Sequence, residues 1–311
     1  MILVTGSGGP LGSALKNQLG NLGLYPRSFE CDLTDQGSIS DWADEKLHHK
    51  KIDGVIHLAA KSGGAHLSDT QPADIFRENM LMAINVLELA RKLNIPRVIM
   101  TLSTACYSEG IDNPSESSLH AAPALGRDYS YAYAKRMMEP LMRAYNQQYS
   151  MEVSCVLVNG IIGPNMNYRE NESILPAALI RRFYDAKLNG ENDLTVWGDG
   201  SPIREYSDSS DLARAIMWCF ERQPKDTLLN IGSTEKITVR QCAESIAKAL
   251  GINPCNLEFD TGKKGGRKIQ STDNSKFRAL SNFEYTPFDI SITKTVDWYV
   301  NQKNSGGSLK I

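Results

Sequence analysis

The chain predicts an α/β protein: a Rossmann-type doubly wound parallel sheet with a smaller C-terminal α/β substrate domain. Three observations carry this. A strand, a glycine-rich turn and a helix follow one another within about the first twenty residues; apolar strand-like runs then alternate with helical stretches; and a Tyr-x-x-x-Lys pair comes roughly thirty residues after a strand that ends in serine.

Ile2-Leu3-Val4 is a short β-branched-rich run, followed by Thr5-Gly6-Ser7-Gly8-Gly9-Pro10-Leu11-Gly12 and a helix-like stretch to Leu19. Glycines at 6, 9 and 12 allow a sharp turn, close approach of a pyrophosphate and close helix–strand packing, while the helix N-terminus offers free N–H groups to phosphate. This predicts a dinucleotide site at Gly6, Gly9, Pro10, Leu11 and Gly12. The second strand, near Leu24, is kept short by Pro26. Arg27 favours the 2′-phosphate of NADP, whereas Glu30 favours the free hydroxyl of NAD. Asp32 reads equally as an adenine contact or as a turn or N-cap residue before a helix from Gln36 to Leu47. His48 and His49, in the charged run that ends that helix, read as a solvated face.

Gly54-Val55-Ile56-His57-Leu58-Ala59-Ala60 reads as a buried strand closed by small residues that let a cofactor come near, with His57 a core histidine. A helix from about Asp74 to Leu93 leads to a strand Arg97–Leu102 that delivers Ser103 to the ligand-binding edge of the sheet. Tyr131 and Lys135, four apart, lie on one helix face. A tyrosine in water titrates near pH ~10, and a neighbouring ammonium together with a cationic nicotinamide is expected to lower it toward neutrality. Ser103, Tyr131 and Lys135 together form a proton-transfer centre.

At 311 residues, 41% of them hydrophobic, the chain can fill two modest cores. A net charge of −2 gives no reason to expect nucleic acid or an anionic membrane as partner. The six cysteines lack paired or metal-ligand spacing, which predicts a reducing compartment and no bound metal. No run approaches the ~18 apolar residues of a membrane span. A strand beginning at residue 2 predicts that there is no signal peptide, and hence a cytoplasmic protein.

Leu102-Ser103-Thr104, Tyr131-Ala132-Tyr133-Ala134-Lys135, Tyr145-Asn146-Gln147-Gln148-Tyr149, Gly163-Pro164, Val196-Trp197-Gly198-Asp199-Gly200-Ser201-Pro202-Ile203-Arg204-Glu205 and Phe259-Asp260-Thr261 resemble the GDP-L-fucose synthase family of extended short-chain dehydrogenase/reductases over nearly the whole chain. The resemblance implies NADP(H) as cofactor, with further contacts at Leu33, Leu58, Ala59, Ala60, Leu102, Val158 and Ile161. It implies a GDP-4-keto-6-deoxy sugar as substrate, met by Ser103, Thr104, Ala105, Asn159, Ser173, Trp197, Arg204, Lys268 and one of Arg181 or Arg182. A cofactor domain of residues 1–160 plus about 203–235, a sugar domain of about 161–202 and 236–311, and a homodimer through the helices after Asp74 and Tyr131 are also implied.

The chain departs from the family at three places. The family's substrate asparagine falls on Gly160, with Asn159 beside it. Its epimerase cysteine falls on Ala105, with Cys106 one residue late, and its epimerase histidine falls on Ser173. The expectation is therefore NADPH-dependent reduction at C4 of a hexose or heptose without epimerisation at C3 and C5. The two-activity enzyme, with Cys106 recruited by a bulge, is the alternative; a binding protein that senses NADP without turnover is a remoter one. A 4,6-dehydratase would need an acidic pair that Thr104-Ala105-Cys106 lacks.

Overall fold

The structure, a computed structural model, describes all residues except 48, 192–193, 223–226, 263–266 and 311. His48 lies outside the described residues. The first half alternates β1 (Ile2–Thr5), α1 (Pro10–Leu19), β2 (Gly23–Leu24), α2 (Gln36–Lys46), β3 (Gly54–His57), α3 (Ala65–Thr70), α4 (Pro72–Lys92), β4 (Arg97–Ser103), α5 (Tyr129–Arg136), α6 (Met138–Tyr149) and β5 (Glu152–Val158). The second half holds β6 (Gly160–Ile162), α7 (Leu175–Asn189), β7 (Leu194–Trp197), β8 (Ile203–Asp208), α8 (Ser209–Arg222), β9 (Leu228–Asn230), β10 (Lys236–Thr238), α9 (Val239–Ala249), β11 (Leu257–Asp260), α10 (Ser275–Ser281) and α11 (Phe288–Ser305).

Six strands form one sheet in the order β2-β1-β3-β4-β5-β9, every pair parallel. Parallel strands need crossovers that cover both faces, so each strand is apolar on both sides. Leu3, Val55, Val98, Met100 and Val153 face a core with α2, α4 and α6, while Ile2, Val4, Ile56, Ile99 and Val156 face one with α1 and α8. Strand order reverses between β1 and β3, which opens a crevice at their C-terminal ends. A further core gathers Ile162, Phe183, Val196, Tyr206, Ile246, Ile292 and Tyr299 beneath two small sheets, β10-β8-β6 and β11-β7.

Some expected boundaries move for identifiable reasons. The third strand stops at His57, not Ala60, because the Leu58 and Ala59 amides turn to the Thr5 hydroxyl at 3.2 and 3.3 Å. Helix α4 starts at Pro72, a residue suited to a first helical turn. Within the C-terminal segment assigned by sequence to the sugar domain, Phe277, Phe283 and Tyr285 pack instead with α8 against the large sheet, Phe277 edge-on to Trp218 at 5.4 Å.

Where β5 begins, a helix side chain bonds its backbone. The Asn146 amide donates to the Val153 carbonyl at 2.8 Å and accepts from the Val153 amide at 2.8 Å, as a neighbouring strand would. Asn146 is 4% exposed. Asn146→Ala leaves both backbone groups without these bonds. It should cost on the order of 2–4 kcal/mol, read as a shift in the denaturation midpoint with the slope unchanged; a loss below about 0.5 kcal/mol would mean that water replaces the amide.

Candidate active site

Ser103 stands at the C-terminal end of β4, opposite Val158 of β5, and its hydroxyl accepts from the Ala105 amide at 3.2 Å as the chain turns into a single 3₁₀ turn, Thr104–Cys106. Helix α5 brings Tyr131 and Lys135 to the same place. Lys135 is 2% exposed, and its ammonium donates to the Thr101 carbonyl inside β4 at 2.9 Å. Burial lowers its pKa to about 8.

Behind the lysine runs a buried polar relay. The Thr101 hydroxyl donates to the His57 carbonyl at 2.9 Å, and His57 Nδ1 lies 2.8 Å from the Thr5 hydroxyl. That hydroxyl already accepts two amides, so its proton goes to Nδ1 and the imidazole carries its own proton on Nε2. Burial first, and the Lys135 charge second, hold the His57 pKa near 3, so the ring is neutral. It is the core histidine expected.

The expected lowering of Tyr131 is not met by the protein's own groups. Burial raises the phenol well above its ordinary value, the nearby Cys106 adds to this, and a hydrogen bond from Ser103 opposes it. Shared helical spacing with Lys135 does not lower the phenol, because its loss of water dominates. Tyr131 is thereby held protonated, the state a proton donor requires.

The glycine turn has the shape of a dinucleotide cradle. A Cβ at Gly6 would lie 2.6 Å from the Ala59 amide nitrogen and one at Gly12 would lie 2.4 Å from the Gly6 carbonyl, so the chain itself requires glycine at both. At Gly9 the nearest atom is 3.8 Å away, which leaves open space over the start of α1, where no side chain caps the helix. These residues fit a bound dinucleotide. Leu58, Ala59, Ala60 and Ile161 are half-buried near this edge, and Pro10 opens α1. Leu11, Leu102 and Val158 send their side chains into the core, so only their backbones can meet a cofactor. Leu33 packs against the α2 side of the sheet. Asp32 is the turn residue of its two readings, since its carboxylate accepts from the Thr34 amide at 2.9 Å and hydroxyl at 2.8 Å; Asp35 caps α2. Glu30 turns back to accept from the Arg27 amide at 2.9 Å, which leaves Arg27 as the cationic side chain beside the turn.

Two of the expected substrate contacts, Asn159 and Thr104, bond protein partners through their side chains. Asn159 donates to the Ser233 carbonyl at 2.6 Å and accepts from the Ser207 hydroxyl at 2.7 Å, and a Cβ at Gly160 would lie 2.5 Å from the Tyr206 ring. Thr104 is buried with its hydroxyl held by Gln270 at 3.0 Å, and Ala105 is buried among Ala124 and Ala132. Ser173 lies on the loop before α7, its carbonyl against Gly64. Trp197 is 64% exposed at the end of β7. Arg204 is half-buried on β8, donating to the Ile203 carbonyl at 2.7 Å, and Lys268 is exposed beside it, its carbonyl accepting from the Ile203 amide at 2.9 Å. Arg181 donates to the Tyr168 carbonyl at 3.1 Å, whereas Arg182 reaches Thr195 of β7 at 2.6 Å.

Sequence reasoning missed Arg267. Its guanidinium ties the Tyr107 carbonyl at 3.1 Å, Asp128 at 2.9 Å and Glu109 at 3.1 Å, and its charge, after burial, helps lower the pKa of Arg204. Its adjacency to Lys268 was the only signal.

What fold and site define together is an extended short-chain dehydrogenase/reductase. Residues 2–232 match the NAD dependent epimerase/dehydratase family, and the chain belongs to it. The GDP-L-fucose synthase of Dictyostelium discoideum is 30% identical over 96% of this chain and 95% of its own. A GDP-L-fucose synthetase from Naegleria fowleri bound to NADP superposes with a TM-score of 0.89 at 28% identity, covering 100% of this chain and 94% of that one. A GDP-6-OMe-4-keto-L-xylo-heptose reductase from Campylobacter jejuni gives 0.86 at 22% identity over 97% of each chain, a likeness of fold.

The buried ammonium sets a testable sign. Folded Lys135 loses its proton near pH 8, the unfolded lysine near 10.5, so between these values the unfolded state binds more protons and this residue's contribution to stability rises with pH. Lys135→Met should therefore be more stable than the parent at pH 7, with the advantage shrinking as pH rises from about 8 toward 10.5. Denaturation of both proteins across that range checks it; a pH-independent difference would refute the depressed pKa.

Proposed function

We propose that this protein uses NADPH to reduce the C4 keto group of a GDP-4-keto-6-deoxy sugar, hexose or heptose, and leaves C3 and C5 unepimerised. The observation that carries this is a complete Ser103–Tyr131–Lys135 centre beside a Cys106 that is 0% exposed. The activities named for the Dictyostelium and Naegleria proteins support the GDP-sugar substrate class and NADP(H).

When bound, the reduced nicotinamide supplies hydride to C4. Ser103 and Tyr131 hydrogen-bond the carbonyl oxygen, and Tyr131 gives it the phenolic proton, so that C=O becomes CH–OH. Lys135 holds the nicotinamide ribose and stabilises the phenolate left behind. Trp197 stacks on sugar or base. Arg204, Lys268 and Arg182 meet the diphosphate; Arg182 is favoured over Arg181 because it reaches the strand that carries Trp197. The region around β7, β8 and β11 holds the nucleotide sugar, in a cytoplasmic homodimer formed through α4 and α6, where Phe76 and Leu81 stand exposed on α4.

Epimerisation needs one group to take the proton beside the ketone and another to return one on the opposite face. Cys106 packs in the core with Leu102 and Met138, its thiol pushed up to about 11 by burial, and its carbonyl is held by Arg136 at 2.9 Å. Ser173 offers a hydroxyl that does not titrate near neutrality.

Tyr131→Phe should lower kcat on the order of 10²-fold or more while NADPH affinity stays unchanged. A variant that keeps half of the parental turnover would refute the donor assignment. In D₂O without reductant, a 4-keto sugar should gain no deuterium at C3 or C5, and with NADPH the product should keep the input configuration at both carbons. Exchange as fast as reduction, lost in Cys106→Ser, would establish the two-activity enzyme instead.

A further inference from the structure

The end of the chain lies against the cofactor turn. Beyond α11, the Lys310 carbonyl accepts from the Tyr168 amide at 2.8 Å, Asn167 and Lys310 pair as an isolated parallel bridge, and Leu309 packs on the core that holds Phe183 and Tyr299. This backbone is fastened to the sugar-side region. The Lys310 side chain crosses to the other, its ammonium donating to the Gly8 carbonyl at 2.5 Å.

Arg27 approaches the same turn from the end of β2. A Cβ placed at Gly8 would lie 3.1 Å from Arg27 Nη1 and 3.8 Å from Lys310 Nζ, so the two cations flank one residue that has no side chain of its own. Arg169 stands near enough that its charge and that of Arg27, after partial burial, lower the Lys310 pKa. Among the described residues neither Arg27 nor Lys310 forms an ion pair with a carboxylate, and Arg169 has only a contact with Glu172 at 3.5 Å. Of the three, Arg27 and Lys310 repel one another with no carboxylate paired to either among the described residues, and a doubly charged anion with three acceptor oxygens would reverse the sign of the interaction. The cluster lies between the glycine turn and the end of the second strand, where a dinucleotide of this fold carries its adenosine ribose.

We propose that Lys310, delivered by the C-terminal tail, joins Arg27 as a ligand of the 2′-phosphate of NADP(H), so that the last residues of the chain help to set the preference over NAD(H). The inference rests on NADP(H) as cofactor and on Arg27 at its phosphate. It adds that a residue fastened to the sugar-side region reaches across to the cofactor.

The test is binding, not turnover. The parent, Lys310→Met, Lys310→Arg and Arg27→Ala are titrated with NADPH and with NADH by calorimetry, at one salt concentration. Lys310→Met should weaken NADPH about tenfold or more and NADH less than about twofold, and Lys310→Arg should keep most of the affinity. The melting temperature of the cofactor-free protein should not change. Equal losses for both cofactors would overturn the proposal and make the tail a structural strap. A parent that prefers NADPH, with the preference erased by Arg27→Ala but untouched by Lys310→Met, would overturn this inference alone. A parent with no preference for NADPH would overturn the reading of Arg27 and this inference with it.

Discussion

The ammonium of Lys135, buried against the Thr101 carbonyl, is the interaction on which the rest of the site depends. It ties α5 to the middle of β4 and so places Tyr131, one helical turn earlier, at the strand end that carries Ser103. The group it leans on is a carbonyl dipole, not a carboxylate. A carboxylate would restore an ordinary lysine pKa but would also occupy the donors that a ribose needs. The neutral His57 and the Thr5 and Thr101 hydroxyls extend the same choice inward: every polar atom nearest the lysine is uncharged, which keeps the ammonium only weakly committed to the protein.

The loop after β4 is held from both sides by guanidinium groups. Arg136, at the end of α5, donates to the carbonyls of Cys106 and Ala122, while Arg267, from far along the chain, holds Tyr107 and Asp128. Arginine presents several donors in a rigid fork, so two such residues fix the direction of successive peptide units. With Cys106 and Tyr107 pinned through their carbonyls, the Cys106 side chain faces Met138 in the core and Ala105 lies against the Tyr131 ring. Exchanging the two orientations would break bonds from both arginines. The same contacts that shape the floor under Ser103 therefore set the direction of the Cys106 side chain, which is buried yet near enough to Tyr131 and Lys135 to influence both.

How much of this was legible follows from how far apart the partners lie. The glycine cradle, the strand-end serine and the Tyr–Lys pair each depend on spacing within about a dozen residues, and the sequence displays that spacing directly. Asn159 and Thr104 are implied as substrate contacts by resemblance alone, while their protein partners lie far off in the chain: Ser207 and Ser233 at 48 and 74 positions from Asn159, and Gln270 at 166 from Thr104. No local pattern announces such bonds. The side-chain direction of Leu102 is legible: it neighbours Ser103 on a strand, and alternation sends its side chain to the opposite face. The direction of the Tyr131 shift was beyond reach, because spacing reports proximity and not the loss of water around the phenol.

The same alternation explains how the small sheet β10-β8-β6 is joined to the large one. Glu205 and Arg204 are neighbours on β8, so they point to opposite faces. Glu205 goes inward, accepts from the Thr272 hydroxyl at 2.9 Å and is raised by burial to about 7. Beside it Ser207 bonds Asn159, which sits just past β5, and a side chain at Gly232 would collide with that asparagine. This buried knot joins the end of β5 to β8 and to the segment after β9. The position of Arg204 is thus supported from the far side of its own strand, by the buried contacts of Glu205 and Ser207.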